Sequence, residues 1–171
     1  SLFTQGMVTH ETYSRKQGGK TVYYAPDEIS REAERALLKD DGGEVEIGRV
    51  IKMSKSKKNV VDPDTIIAQY GADAVRWFML SDSPPERDLP WSESGIEGCA
   101  RFVQRVWRLV SDASGDAQGE DVELRRKTHK TIAAVAEDIE ALSFNKAVAR
   151  IYELTGAVEK AQPSASRSAA I

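Results

Sequence analysis

Lys52-Met53-Ser54-Lys55-Ser56, followed by Lys57-Lys58-Asn59 and then Asp62-Pro63, gathers ammonium and hydroxyl donors on one short stretch of chain. From Arg49 to Lys58 there are five basic side chains and no acidic one, whereas the whole chain carries 27 acidic against 24 basic residues and a formal charge of −3. The positive charge is therefore local. Lysine ammonium groups are compact donors that can follow a moving anion, and serine hydroxyls donate beside them. Such a set suits a polyphosphate whose leaving group gains charge as it departs. Taken alone, the same pentapeptide also fits a solvated turn, or a basic patch for nucleic acid or nuclear import.

A second basic feature lies further on. Arg101, Arg105 and Arg108 fall at steps of four and three, so they share a helical face, which Phe102 and Trp107 flank. That face could grip a phosphate backbone, or its arginines could simply be solvated or paired with Glu97 and Asp112. Arg125-Arg126-Lys127 with Lys130 forms another cluster, at a helix start where cations oppose the helix dipole, and a solvated face is the plainer reading. Trp77, Trp91 and Trp107 each sit beside apolar neighbours and read as packing residues rather than platforms for bases. The single cysteine, Cys99, lies on an apolar stripe and reads as a small core residue; one cysteine excludes an internal disulfide. With only His10 and His129 besides, at no ligand-like spacing, no metal site is expected.

The elements that must position these groups change character along the chain. Residues 1 to 51 read as irregular and β-rich. Thr21-Val22-Tyr23-Tyr24 is a β-prone run ended by Ala25-Pro26, and Asp40-Asp41-Gly42-Gly43 is a turn before the alternating Val45-Glu46-Ile47. Residues 30 to 39 are rich in helix formers, so a helix competes there with a hairpin feeding the lysine loop; the hairpin is the expectation. After the loop, Asp62 caps a helix that begins at Pro63, and Gly71 ends it in a left-handed conformation. Asp73 is expected to cap the next, with Val75, Phe78 and Met79 as its apolar face, until Ser81-Asp82-Ser83-Pro84-Pro85 stops it.

From Ser94, the apolar positions Ile96, Cys99, Val103, Val106 and Val110 predict a helix with one buried side. Ser114 to Gly119 is small and polar, and a domain boundary is expected near residue 115. Leu124, Thr128, Ile132, Val135, Ile139 and Leu142 predict one further helix, and Phe144, Val148, Ile151, Leu154 and Val158 another after a break near Ser143, together an antiparallel hairpin. Beyond Gln162 the chain is expected to fray or to pair with a second copy. Its 171 residues, 40% hydrophobic and 30% charged, make an ordinary soluble chain of one domain or two small ones. No apolar run approaches membrane-spanning length, and no cleavable signal is expected at Ser1.

Lys52-Met53-Ser54-Lys55-Ser56 resembles the second signature of class I aminoacyl-tRNA synthetases. Gly71-Ala72-Asp73-Ala74-Val75-Arg76-Trp77-Phe78, Ser83-Pro84-Pro85-Glu86-Arg87-Asp88, Trp91 to Gly98, and Arg101-Phe102-Val103-Gln104-Arg105-Val106-Trp107 are similar to the consecutive blocks that follow this loop in bacterial leucyl-tRNA synthetases. Leu2 to Val8 looks like the strand and loop that precede it, and residues 10 to 47 sit where that family carries a variable insertion. Asp138-Ile139-Glu140 and Phe144 to Val148 look like the start of its anticodon-binding bundle.

The resemblance implies an α+β chain, mainly α, with the end of a catalytic domain at 1–51, the signature loop and stem-contact helices at 52–115, and a truncated anticodon-side bundle at 116–171. It implies ATP, with Mg2+, held through Lys52, Met53, Ser54, Lys55 and Ser56, Lys52 and Lys55 being the catalytic cations. Arg101 and Arg105 become backbone contacts for tRNA(Leu). The parent is expected to be a cytoplasmic, monomeric leucine-activating ligase several times longer than this chain. One departure matters: the family's His-x-Gly-His type motif is absent, since the two histidines lie in other contexts. The isolated segment is therefore expected to be inactive. The alternative is a non-catalytic RNA-binding module derived from such a synthetase.

Overall fold

Gly18 and Gly19, both at positive φ (57° and 80°), reverse the chain between β2 (Tyr13–Gln17) and β3 (Lys20–Tyr24), so that Gln17 faces Lys20 across a two-residue turn. Only glycine accepts both conformations without steric cost, and this turn's twist matches that of the paired strands. The computed structural model describes residues 4–32, 34–112, 119–162 and 164–171. Its contacts separate two units, residues 1–69 with 86–92 and residues 70–85 with 93–171.

In the first unit β2 and β3 belong to a five-stranded antiparallel sheet of order β3-β2-β6-β5-β4, with β4 at Ile29–Glu32, β5 at Arg35–Leu38 and β6 at Glu44–Ile47. The helix that residues 30 to 39 favour locally does not form. Ile29 pairs with Leu38, and the alternation of β5 puts Ala36 and Leu38 inside while Arg35 stays out. Burial beside Tyr13 and Val45 outweighs local propensity. Each large apolar side chain so buried contributes about 1.5–3 kcal/mol.

A smaller sheet of order β7-β1-β8 carries the lysine loop. In it β1 (Val8–His10) pairs antiparallel with β7 (Ile51–Lys52) and parallel with β8 (Leu89–Pro90). Gly6 runs so close to the returning chain that a methyl group there would stand 1.9 Å from the Arg87 carbonyl oxygen. The Met7 amide donates to Asp88 Oδ1 at 2.8 Å, and the Leu89 amide to Met7 O at 2.9 Å. As expected, Asp62 caps α1 (Pro63–Tyr70), its Oδ2 accepting from the Thr65 amide at 3.2 Å and the Thr65 hydroxyl at 2.7 Å. These bonds hold its carboxyl below the usual aspartate range.

The second unit is helical: α2 (Ala72–Ser81), α3 (Glu93–Ser111), α4 (Val122–Glu140), α5 (Phe144–Lys160) and α6 (Ala165–Ala170). Gly71, at φ 85°, is itself the N-cap of α2, so Asp73 lies in the first turn, where it pairs with Arg76, rather than at the cap. On α3 the buried residues are Ile96, Cys99 and Phe102. Phe102, expected beside the arginine face, instead stacks on Trp77 at 5.2 Å between ring centroids and meets Tyr152 at 4.0 Å. An aromatic ring gains more from that pocket than from solvent.

The α4–α5 hairpin forms, but its stripe differs from the apolar one. Ile132 and Ile139 are exposed, and the buried face of α4 runs through Leu124, Thr128 and Asp138. Polar residues can occupy that face because each finds a partner: Thr128 donates to Leu124 O at 2.9 Å, and Arg150 Nε donates to Asp138 Oδ2 at 2.5 Å. Leu142 takes a positive φ of 56° at the break before Ser143, as the reversal requires.

The segment expected to fray beyond Gln162 forms α6 and packs on α4. The Ser164 hydroxyl caps it through the Arg167 amide, and the Ser166 hydroxyl accepts from the Asp121 amide at 2.9 Å. The boundaries expected from the sequence lie at residues 51 and 115. The lysine loop groups with the strands, α2 to α6 group together, and residue 115 lies outside the described residues.

Candidate phosphate-binding loop and arginine-bearing helix

Strand pairing delivers the loop's first lysine. Thr9 faces Lys52 across β1 and β7, and the Met53 amide donates to Val8 O at 3.2 Å, so the ladder ends where the lysine loop begins. Ser54 then opens a single 3-10 turn over Lys55–Lys57, closed by amide donations from Lys57 to Ser54 O and from Lys58 to Lys55 O. Lys58 takes the left-handed conformation at φ 53° and ends the turn.

Four lysine side chains lie within a few residues, and they divide into two kinds. Lys57 Nζ donates to the Tyr23 hydroxyl at 2.7 Å while sitting 4.2 Å from the centre of the same ring. Lys58 Nζ stands 3.6 Å from Glu28 Oε2. Lys52 and Lys55 are exposed, and among the described residues neither side chain has a hydrogen-bonding or acidic partner. The Ser54 and Ser56 hydroxyls lie 2.8 Å apart, forming a pair beside them, and Met53 is half-buried. The five residues of the signature thus run from the end of β7 into one turn, and present two exposed ammonium groups without a partner among the described residues and a pair of hydroxyls to an anion.

Asn59 was not singled out by its type or spacing. Its side chain is fully buried, and it bonds to both ends of the turn. A sequence clue existed: it is the uncharged polar residue between the lysine run and Val60-Val61, where a buried amide can act as an anchor.

On α3 the predicted arginines fare differently from one another. Arg101 keeps a side chain 71% exposed and stands 3.6 Å from Glu97, one turn back. Arg105 makes a two-pronged contact with Glu159 of α5 through its Nε and Nη2. Hydrogen bonding to that guanidinium holds the Glu159 carboxyl below the usual glutamate range, and the carboxylate raises Arg105 in turn. Arg108 Nε donates weakly to Gln104 O at 3.4 Å.

Trp107, expected to pack, is 74% exposed beside these arginines. Trp77 does pack, donating from Nε1 to the Tyr152 hydroxyl at 3.1 Å. Cys99 is buried as expected, and burial pushes its thiol up. The second basic cluster borders an open cleft of about 320 Å³ where Arg126, Lys127, Lys130 and Arg150 stand among Glu123 and Glu153. Arg126 is tied to Glu123 at 2.7 Å, and Arg125 to Glu120. Among the described residues no group of three or more side chains could hold a metal ion, and no helix is long and apolar enough to cross a membrane.

Comparison with known proteins bears on this geometry. The family profile of class I tRNA synthetases (I, L, M and V) matches residues 43–92, from just before β6 through the loop to Ser92. The chain is 73% identical over its whole length to a leucine–tRNA ligase of Novosphingobium aromaticivorans, and 68% identical over 99% of its length to that of Sphingopyxis alaskensis. It spans about a fifth of the length of each, 20% in both cases. Among solved structures it is similar to a LeuRS of Agrobacterium radiobacter K84 in a ternary complex with tRNA and LeuAMS. There the TM-score is 0.59 and the identity 29%, over 70% of this chain and 18% of that one. A lysine-signature turn on this sheet, the family match around it and the identity along the full 171 residues agree: the chain belongs to the leucine–tRNA ligases of the class I tRNA synthetases, as a segment of one.

Proposed function

We propose that this segment supplies the ATP-phosphate loop of a leucine-activating ligase, and that the observation carrying this reading is the division of the loop's lysines into two engaged and two free. Lys57 and Lys58 are occupied by Tyr23 and Glu28, whereas Lys52 and Lys55 have nothing to displace before meeting an anion. In the reaction the leucine carboxylate attacks the α-phosphorus of ATP in line. The new carboxyl–phosphorus bond forms as the bond to the β-phosphate oxygen breaks, and pyrophosphate leaves carrying the charge. Lys52 and Lys55 neutralise that charge, and Ser54 and Ser56 donate hydrogen bonds to the same phosphates. Met53 anchors the turn rather than touching the reaction. Magnesium would come with the nucleotide and would add charge stabilisation to that of Lys52 and Lys55. A hydroxyl of the terminal adenosine of tRNA(Leu) then attacks the leucyl carbonyl carbon, and the ester forms as the bond to AMP breaks and AMP leaves.

On the same reading residues 1–51 end a catalytic domain, 52–115 carry the loop and the stem-contact helices, and 116–171 open an anticodon-side bundle. The parent works in the cytoplasm as a monomer. Arg101 contacts the tRNA backbone directly. Arg105 does so by exchanging Glu159 for phosphate, which makes its contribution smaller. The isolated segment activates nothing, and the exposed Ile132, Ile139 and Leu142 are the residues through which it would self-associate.

The deciding experiment is amino-acid-dependent exchange of pyrophosphate into ATP by the full-length protein. Exchange with leucine, but not with isoleucine, valine or methionine, is the expected result. A folded, ATP-binding protein that exchanges with none of them would belong to the RNA-binding alternative.

A further inference from the structure

Between Val50 and Asp62 a single residue is buried, and it is Asn59, with no accessible surface. Its carboxamide is fully used. Oδ1 accepts from the Ser54 amide at 2.9 Å, and Nδ2 points toward three carbonyl oxygens, of His10 at 3.1 Å, Ile51 at 3.3 Å and Lys52 at 3.4 Å. Two of those residues lie on β7, one on β1, and the fourth contact is the residue that opens the 3-10 turn. One side chain thereby ties the far end of the turn to its near end and to the strand beneath. The left-handed Lys58 reverses the chain so that Asn59 can reach back.

The other side-chain restraints reach the turn from one point each, Lys57 through the Tyr23 hydroxyl at 2.7 Å and over its ring. The pair of Lys58 with Glu28 is about half exposed on both sides, and pairs of that kind contribute little. Met53 is only half-buried. A carboxamide accepts on one atom and donates two protons from another: aspartate would oppose three carbonyl oxygens, and serine would not span the turn.

We propose that Asn59 is the positioning residue of the phosphate loop, acting through Ser54 and the end of β7 to set where Lys52 and Lys55 are presented; this rests on the ATP-loop reading above. Misplacing reacting groups by about an ångström lowers rates roughly a hundredfold. Loss of the Asn59 bonds should therefore lower the chemical step while leaving leucine binding alone.

The test uses the full-length protein with Asn59→Asp, which keeps shape and the acceptor but loses the donor, and Asn59→Ser, which relieves the carbonyl repulsion. Two readouts are taken on each. One is leucine-dependent pyrophosphate exchange, expected to fall about ten- to a hundredfold in kcat with the KM for leucine unchanged. The other is limited trypsin cleavage after Lys55, Lys57 and Lys58, expected to speed up at least several-fold while cleavage elsewhere stays at the wild-type rate. Exchange within about twofold of wild type, or a loop no easier to cleave, overturns the proposal. So does global unfolding of both variants, which would make Asn59 a residue of the fold and not of the loop. If the wild type itself fails to exchange with leucine, the ATP-loop reading falls, and the cleavage readout still decides whether Asn59 pins the turn.

Discussion

Lys57 Nζ is held by the Tyr23 hydroxyl at 2.7 Å across 34 residues, which takes one lysine out of the loop's chemistry and leaves Lys55, two positions earlier, facing solvent. The two lysines should therefore respond differently to removal. Lys57→Ala and Tyr23→Phe each remove the same hydrogen bond, whose net value is about 0.5–1.5 kcal/mol. Exchange by either variant of the full-length protein should stay within about tenfold of wild type. A loss as deep as that of a loop cation would move Lys57 into the phosphate site.

Trp107 and Phe102 are close in sequence and opposite in surroundings. Trp107 is 74% exposed and Phe102 5% exposed. Trp107→Ala should leave the urea midpoint almost unchanged, within about 0.5 kcal/mol. Phe102→Ala, which empties the space against Trp77 and Tyr152, should cost about 3–5 kcal/mol. Equal costs would mean that the exposed indole is covered in solution.

Trp107 and Phe102 also mark where the sequence was readable and where it was not. Punctuation by Asp62-Pro63, Gly71, Pro84-Pro85 and Ser143 located the starts and stops of the helices, because capping and the left-handed conformation are local events. The signature loop was legible for a related reason: its five residues are consecutive, from the end of β7 into one turn. Faces were harder. On α4 an apolar count selected Ile132 and Ile139, whereas the fold buried Thr128 and Asp138, whose partners are a carbonyl four residues back and an arginine on the next helix. The partners of Asn59 and the Arg105–Glu159 pair were illegible for the same reason, since they lie on other elements. Glu159 is 54 residues from Arg105.

That pair has a pH signature. The folded Glu159 carboxyl titrates below its ordinary value of 4.5, first through its hydrogen bond with Arg105, so its contribution to stability is present above that value and is lost as pH falls through the lower, folded one. Stability should therefore decline below about pH 4.5 with a component that Glu159→Gln removes. Identical profiles for the variant and wild type would mean that the pair does not persist in solution.

Two glycines give opposite expectations. Gly6→Ala places its methyl against the Arg87 carbonyl, a backbone atom that cannot step aside, and should destabilise by about 1–3 kcal/mol. Gly98→Ala, within α3 and with only the Arg101 side chain nearby at 3.8 Å, should stabilise by about 0.5–1 kcal/mol. Thermal melting of the two variants measures both, and a tolerated Gly6→Ala would contradict the close approach of Gly6 to Arg87.

The central claim is that Lys55 neutralises charge that develops on the departing pyrophosphate. The measurement that tests it most directly is leucine-dependent exchange by full-length wild type and Lys55→Ala across a range of ATP concentrations. The account predicts that kcat falls about a hundred- to a thousandfold while the KM for ATP changes little. An unchanged kcat with a raised KM would contradict it, because Lys55 would then hold ATP equally before and during the reaction.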